Sequence, residues 1–158
     1  MPDENTIEKA REDERDGKAP STQAGEFVRE EMDHIREGKH GARSAKQAIA
    51  IGLSKARRAG VKLPPPKKNA SAATRKKAAR DSEIGSDPKR RRPSKTRSRA
   101  SSAALRRQGR SAASPGALSR RARRSASSRS ADSRESAAQK AVRTRRSAAR
   151  AGKRTRRG

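Results

Sequence analysis

The chain of 158 residues contains no cysteine, no tryptophan and no tyrosine, and its only aromatic residue besides the two histidines is Phe27. Without cysteine there is no disulfide, no thiolate metal site and no cysteine nucleophile, and the chain tolerates either redox compartment. Without aromatic side chains there is no platform on which unpaired bases could stack, the usual mode of single-strand recognition. Hydrophobic residues make up 28% of the chain, against about 45 to 50% in globular domains, so a single conventional domain spanning the whole length is not expected. The longest apolar run, Ala48-Ile49-Ala50-Ile51-Gly52-Leu53, falls far short of the roughly 20 residues that a membrane helix needs. The acidic N-terminal residues Asp3, Glu4 and Glu8 have the wrong sign for a secretory signal. These absences lead to the expectation of a soluble cytoplasmic protein with no transmembrane segment.

What the chain has in abundance is positive charge, and it is unevenly placed. The net charge is +27, and residues 64–158 carry 31 Lys and Arg against five Asp and Glu, a net of +26. Residues 1–37 hold 12 acidic and six basic residues, a net of −6. A segment so basic and so poor in apolar residues cannot offset the entropy of folding by burying a core, so residues 64–158 are expected to be a mostly disordered tail rich in Arg, Ser and Ala. Residues 1–21 are expected to be an acidic disordered leader. Its charge suits an arm that folds back on the tail at low salt, within a screening length of about 10 Å at 0.1 M.

Residues 22–63 are where apolar periodicity and helix punctuation agree. Phe27, Val28, Met32 and Ile35 form one stripe on a helix over about 24–37, with Gly38 placed to end it. A second helix over 45–59 is announced by Ser44-Ala45-Lys46-Gln47, a capping box in which the Ser44 hydroxyl and the Gln47 side chain satisfy one another's backbone donors. Ala45, Ala48, Ile49, Gly52, Leu53, Ala56 and Ala59 line one face, and Arg57 and Arg58 precede the Gly60 stop. The connector of residues 38–43 is short, so the fold class expected is all-α: a small helical hairpin, marginal alone and aided by self-association. Val61 and Leu63 are placed to fold back on it. Pro64-Pro65-Pro66 should impose an extended spacer that ends the unit.

The tail repeats Arg-Ser-Ala at residues 110–112, 124–126, 129–131 and 146–148, at irregular intervals that do not suit a solenoid. Ala and Arg favour helix, whereas repulsion among the arginines opposes it until phosphates neutralise them, so helices are expected on binding. The best starts are Ser114-Pro115 and the segment after Asp132, where Glu135 completes a capping-box-like pair. The basic clusters are Lys67 and Lys68; Arg75, Lys76 and Lys77; Lys89, Arg90, Arg91 and Arg92; Arg106 and Arg107; Arg120, Arg121, Arg123 and Arg124; Arg143, Arg145 and Arg146; and Lys153, Arg154, Arg156 and Arg157. These are the candidate nucleic-acid contacts. Arg outnumbers Lys 30 to 14, and its planar fork bridges two phosphate oxygens as Lys does not. Phosphate contacts give affinity without sequence information.

Catalysis needs groups held in a water-excluding site, and the sequence offers little core to build one, so no enzyme is expected. Glu31-x-x-His34 has the spacing of a carboxylate-bridged metal motif, but that motif needs a second copy. His40, in the glycine-rich turn, does not supply it. The expectation is an exposed His34 paired with Glu30 at i+4, with no metal and no cofactor. The serines lie among arginines and read as caps, spacers or phosphoacceptors. Residues 88–93, Pro-Lys-Arg-Arg-Arg-Pro, resemble a nuclear import signal, a cheap match in so basic a chain.

The stretch from Gly38 to Gly60, with Lys46-Gln47-Ala48-Ile49-Ala50-Ile51-Gly52-Leu53-Ser54-Lys55-Ala56-Arg57 at its centre, resembles the signature of an uncharacterised family of small basic bacterial proteins, a domain of unknown function. The likeness covers residues 27–68, and the Arg-Ser-Ala tail is similar to that of its longer members. The resemblance implies a bacterial source and supplies no activity. The tail is also similar in composition to bacterial histone-like proteins. Charge and resemblance together lead to the expectation of a nucleoid-associated protein that binds and compacts duplex DNA without sequence preference. Two other readings stay open: a protein-interaction module whose tail localises it on nucleic acid, and a ribosome- or RNA-associated basic protein.

Overall fold

The computed structural model describes residues 2–87 and 94–128, together with residues 133, 135, 136, 138, 139, 141, 142 and 144. Among these there are six α-helices and no strand: α1 (Glu4–Arg15), α2 (Pro20–Arg36), α3 (Ala45–Arg58), α4 (Ala72–Ser86), α5 (Lys95–Arg106) and α6 (Pro115–Ser127), with a short 3₁₀ turn at Ser111–Ala113. The all-α class is as expected, but a small hairpin does not describe it. The chain divides into two compact units, Met1–Leu118 and Ser119–Gly158.

The hairpin itself is there. Helix α2 starts four residues earlier than the apolar stripe suggested, because Pro20 stands at its first turn, where a missing N–H costs nothing. Gly38 (φ 80°) follows α2 in the left-handed conformation anticipated for it, and Gly60 (φ 103°), the expected stop, follows α3 with a positive φ as well. Ser44 Oγ accepts from Gln47 N at 3.2 Å, the expected half of the capping box. The other half differs by one residue, since Gln47 Oε1 accepts from Arg43 N at 3.0 Å and not from Ser44. At Gly52 the two helices come close together. A Cβ there would lie 2.8 Å from Val28 Cα and 3.1 Å from Phe27 O, so no side chain fits.

Two small apolar clusters lie along α2. One joins Met32, Ile35, Ala42, Ala48, Ala112 and Ala113, with Val28, Ile49 and Leu118 packed against it. The other joins Ala10, Ala24, Phe27 and Ala56, with Ile7, Leu53, Ala59, Val61 and Leu63. Val61 and Leu63 therefore fold back as the sequence suggested. Each cluster also recruits residues from outside the hairpin, and this is the physical reason that two expectations fail and a third holds only in part.

The first concerns the leader. Residues 4–15 form α1, and Ile7 and Ala10 bury themselves with Phe27 in place of an arm that lies on the tail. A lysine closes the α1–α2 turn: Lys18 Nζ meets Asp13 Oδ1 at 2.7 Å and Asp16 Oδ2 at 3.1 Å, and these hydrogen bonds raise its pKa above the ordinary lysine value. The second concerns the prolines. They do not end the unit, because α4 returns to α3, where Asp81 accepts from Ser54 Oγ at 2.6 Å and from Arg58 Nε at 2.7 Å. The third concerns the tail, which departs from expectation in part, since α4, α5 and α6 are helical within it. Local caps contribute: Ser71 Oγ accepts from Thr74 N, and Ser114 Oγ accepts from Ala117 N just ahead of Pro115, both at 3.2 Å. Tertiary contact contributes the rest in the first unit. Ala112 and Ala113 plug the Met32 and Ile35 end of the hairpin, and Arg36 Nε donates to Ala113 O at 3.3 Å. The turn at residues 41–42 donates from Gly41 N to Leu105 O at 3.0 Å and from Ala42 N to Gly109 O at 3.1 Å, which ties the end of α5 to the connector. In the second unit, α6 runs to Ser127, and the described residues between 133 and 144 are helical, while Asp132 lies outside the described residues.

Candidate functional site

Eleven of the cations singled out from the sequence fall among the described residues. Lys67, Lys68, Arg75, Lys76, Lys77, Arg106, Arg107, Arg120, Arg123 and Arg124 are exposed, and Arg121 is half-buried with its Nη1 donating to Ser125 Oγ. Lys89, Arg90, Arg91, Arg92, Arg143, Arg145, Arg146, Lys153, Arg154, Arg156 and Arg157 lie outside the described residues. Among the described residues, none of the eleven pairs with a carboxylate; the ion pairs gather instead on α1 to α3 and at Arg58–Asp81.

Helical spacing decides which of these cations act together. On α4 the buried residues are Ala78 and Asp81, and Lys76 and Arg80, four residues apart, lie on the other side. On α5, Lys95, Arg99 and Arg106 share a face at intervals of four and seven, and Ser98, Arg99, Ser102, Ala103, Arg106 and Arg107 line an open groove. On α6, Arg120, Arg123 and Arg124 lie together, at spacings of three and four. Searching the sequence for adjacent basic residues overlooks the exposed Arg80, Lys95, Arg97, Arg99 and Arg110. A helical wheel over residues 72–86 and 95–106 would have found the first four. A phosphodiester meeting these faces would find guanidinium and ammonium groups without a carboxylate partner among the described residues, flanked on α5 by serine hydroxyls.

A different kind of site sits inside the first unit, and here the sequence reading needs correction. His34 is paired with Glu30 as expected (Nδ1 to Oε1, 3.7 Å), but its side chain is only 13% exposed and its Nε2 also lies 3.5 Å from Asp3 Oδ2. His40, not expected to add to the Glu31 and His34 pair, comes back across the connector to face Glu31, with Nε2 3.4 Å from Oε1. The two imidazoles meet edge to face, their centres 6.1 Å apart. Glu31 is fully buried. Lys55, one side of α3, reaches both acids: its Nζ donates to Glu30 Oε1 at 3.2 Å and stands 2.8 Å from Glu31 Oε2. Glu30 Oε2 also accepts from the backbone of Asp3 at 3.3 Å, at the start of α1. Candidate ligand atoms of Glu31, His34 and His40 all lie within 4.8 Å of one another, as do those of Asp3, Glu30 and His34. The sequence could not give this, because the residues converge only once the α2–α3 turn and α1 have closed on α2.

Among the described residues the protein is thus all-helical, with a small alanine-rich core, a partly buried histidine and carboxylate cluster, and exposed cations on α4, α5 and α6. Residues 5–68 match the model of a family of unknown function (DUF6496). The match begins at the second residue of α1, well before the residue 27 suggested by the signature alone, so the rest of α1, all of α2 and α3, and all of the cluster except Asp3 lie within it. No match was found among the curated proteins or the solved structures. Among the described residues, no helix is long and apolar enough to cross a membrane.

Proposed function

We propose that the chain binds duplex DNA without sequence preference and compacts it, with phosphates received by the basic faces of α4, α5 and α6 and by the further basic clusters of the tail, as a nucleoid-associated protein does. The observation that carries this reading is the set of exposed cations on α4 to α6 that have no carboxylate partner among the described residues. Each is available to exchange a condensed counterion of the duplex, which is the source of non-specific affinity. The helical backbone adds to this by fixing cations three and four residues apart on one side, so that a rigid row of charge meets the phosphates. The lack of tyrosine and tryptophan favours a duplex over unpaired bases.

The test is a salt titration of binding by the whole chain to duplex DNA, single-stranded DNA and structured RNA. Neutralising about ten phosphates gives a slope near −9 in log K against log salt. Tight duplex binding with such a slope, unchanged across unrelated sequences, supports the reading. A clear preference for structured RNA, or a flat salt dependence, overturns it. Variants for this test replace arginines on the outer faces. Cutting the chain at residue 66 would remove α4 and Ala112–Ala113 from the core, and so would test folding instead of binding.

A further inference from the structure

We propose that Glu31, His34 and His40 form a binding site for one divalent transition-metal ion of the zinc type, which fastens the α2–α3 turn to α2. Four observations point to a cation. The ligand atoms of the three residues already lie within 4.8 Å of one another. Tetrahedral ligands about 2.1 Å from a zinc ion stand about 3.4 Å apart, so a contraction of at most about 1.4 Å closes the site.

Glu31 is the second observation. Its carboxylate is completely buried, and the one donor near it is the Lys55 ammonium, 2.8 Å from Oε2 and shared with Glu30. Among the described residues Oε1 accepts no hydrogen bond. A buried carboxylate with unsatisfied lone pairs is costly unless a donor or a metal takes them.

The third is the orientation of His40. Its Nδ1 lies 3.2 Å from Gly41 O, an atom that can only accept, so Nδ1 carries the proton in the neutral ring. That leaves the Nε2 lone pair turned toward Glu31 Oε1 at 3.4 Å, two acceptors facing each other. A cation between them turns that repulsion into two bonds. An imidazole whose second nitrogen donates to a backbone carbonyl is the usual support of a metal-bound histidine, and in His34 the nitrogen that does not take the ion faces a carboxylate, Glu30 at Nδ1 or Asp3 at Nε2.

Charge is the fourth. Asp3, Glu30 and Glu31 against Lys55, with neutral imidazoles, leave the cluster at −2, and one divalent ion makes it neutral. The donor set of two imidazoles and a carboxylate suits zinc and its transition-metal neighbours, whereas calcium and magnesium require six or more oxygens or several retained waters. Three protein ligands leave the fourth coordination position to water. What such an ion contributes follows from the core: among the described residues, nine of the twelve buried hydrophobic residues are alanine. Small domains with cores this thin commonly gain stability from a metal.

The experiment uses the full chain after chelator treatment, titrated with zinc chloride in a calorimeter and with cobalt(II) in a spectrophotometer, without nucleic acid. The chain has two histidines and no cysteine, so imidazole-dependent uptake has to involve His34 and His40. One ion per chain is expected, with intense four-coordinate cobalt bands, and a midpoint of thermal unfolding raised by about 5 to 10 °C when zinc is at a hundredfold its dissociation constant. His40→Gln, a half-buried residue in a turn, should keep the circular dichroism of the parent and lose about tenfold or more in zinc affinity. Glu31→Gln should lose as much. The proposal is overturned if the unaltered chain takes up no zinc saturably, if its cobalt spectrum is the weak six-coordinate one, or if His40→Gln binds zinc as tightly as the parent.

Discussion

Asp81 is the only charged residue of α4 that is buried, and it is bonded to Arg58 of α3 at 2.7 Å, so a carboxylate inside the basic half of the sequence anchors that half to the hairpin. Its second oxygen accepts from Ser54 at 2.6 Å. In the sequence Asp81 is a minor interruption of a positive run; in the fold it is the link that turns the start of the tail into a packed helix. Replacing it with Ala leaves Ser54 and the half-exposed Arg58 without their partner. The expected loss is about 1 to 2 kcal/mol in urea unfolding, since Arg58 can still reach water. Amide exchange should accelerate over residues 72–86 more than over α2.

Gly52→Ala opposes two effects. Alanine favours helix over glycine by about 1 kcal/mol, but the new methyl would stand 2.8 Å from Val28 Cα. Backbone cannot yield as a side-chain end can, so packing should win, with a net loss of about 1 to 3 kcal/mol. A lower midpoint in urea at unchanged slope checks this, and a higher midpoint would show that the two helices separate easily.

Phe27 is the largest side chain in the core and is fully buried among Ala10, Ala24 and Ala56. Phe27→Ala should cost about 3 to 5 kcal/mol, because small neighbours cannot collapse to fill the cavity. Circular dichroism should show loss of helix if α1 detaches as a result.

Lys55→Met removes the ammonium shared by two buried acids. Leaving Glu30 and Glu31 without it should cost about 3 kcal/mol or more, well above what a surface ion pair contributes. Thermal unfolding of the variant in the absence of added metal measures this.

Replacing Arg120, Arg123 and Arg124 together with Gln should lower the salt slope of duplex binding by about 2.7 and weaken affinity equally on unrelated sequences. These residues are exposed on α6, so thermal stability should stay within about 0.5 kcal/mol of the parent. A slope that does not change would place the phosphates elsewhere on the chain.

The sequence by itself determined the helical class, the hairpin and its punctuation, and the location of the positive charge. These are local properties: the spacing of Phe27, Met32 and Ile35, the Ser44 cap, the Gly38 and Gly60 stops and the Ser114-Pro115 start each act within a few residues of chain. The burial of α1, the return of α4 and the meeting of Glu31 with His40 were decided only by tertiary structure. Ile7, Ala10, Asp81, Ala112 and Ala113 lie in segments whose composition reads as solvated, and each is ordered because one or two of its side chains fill a gap that the hairpin leaves open. A few such contacts vanish in an average over composition. The histidine and carboxylate cluster is invisible for a related reason: sequence spacing reports neighbours on one helix, and His40 reaches Glu31 from across a turn.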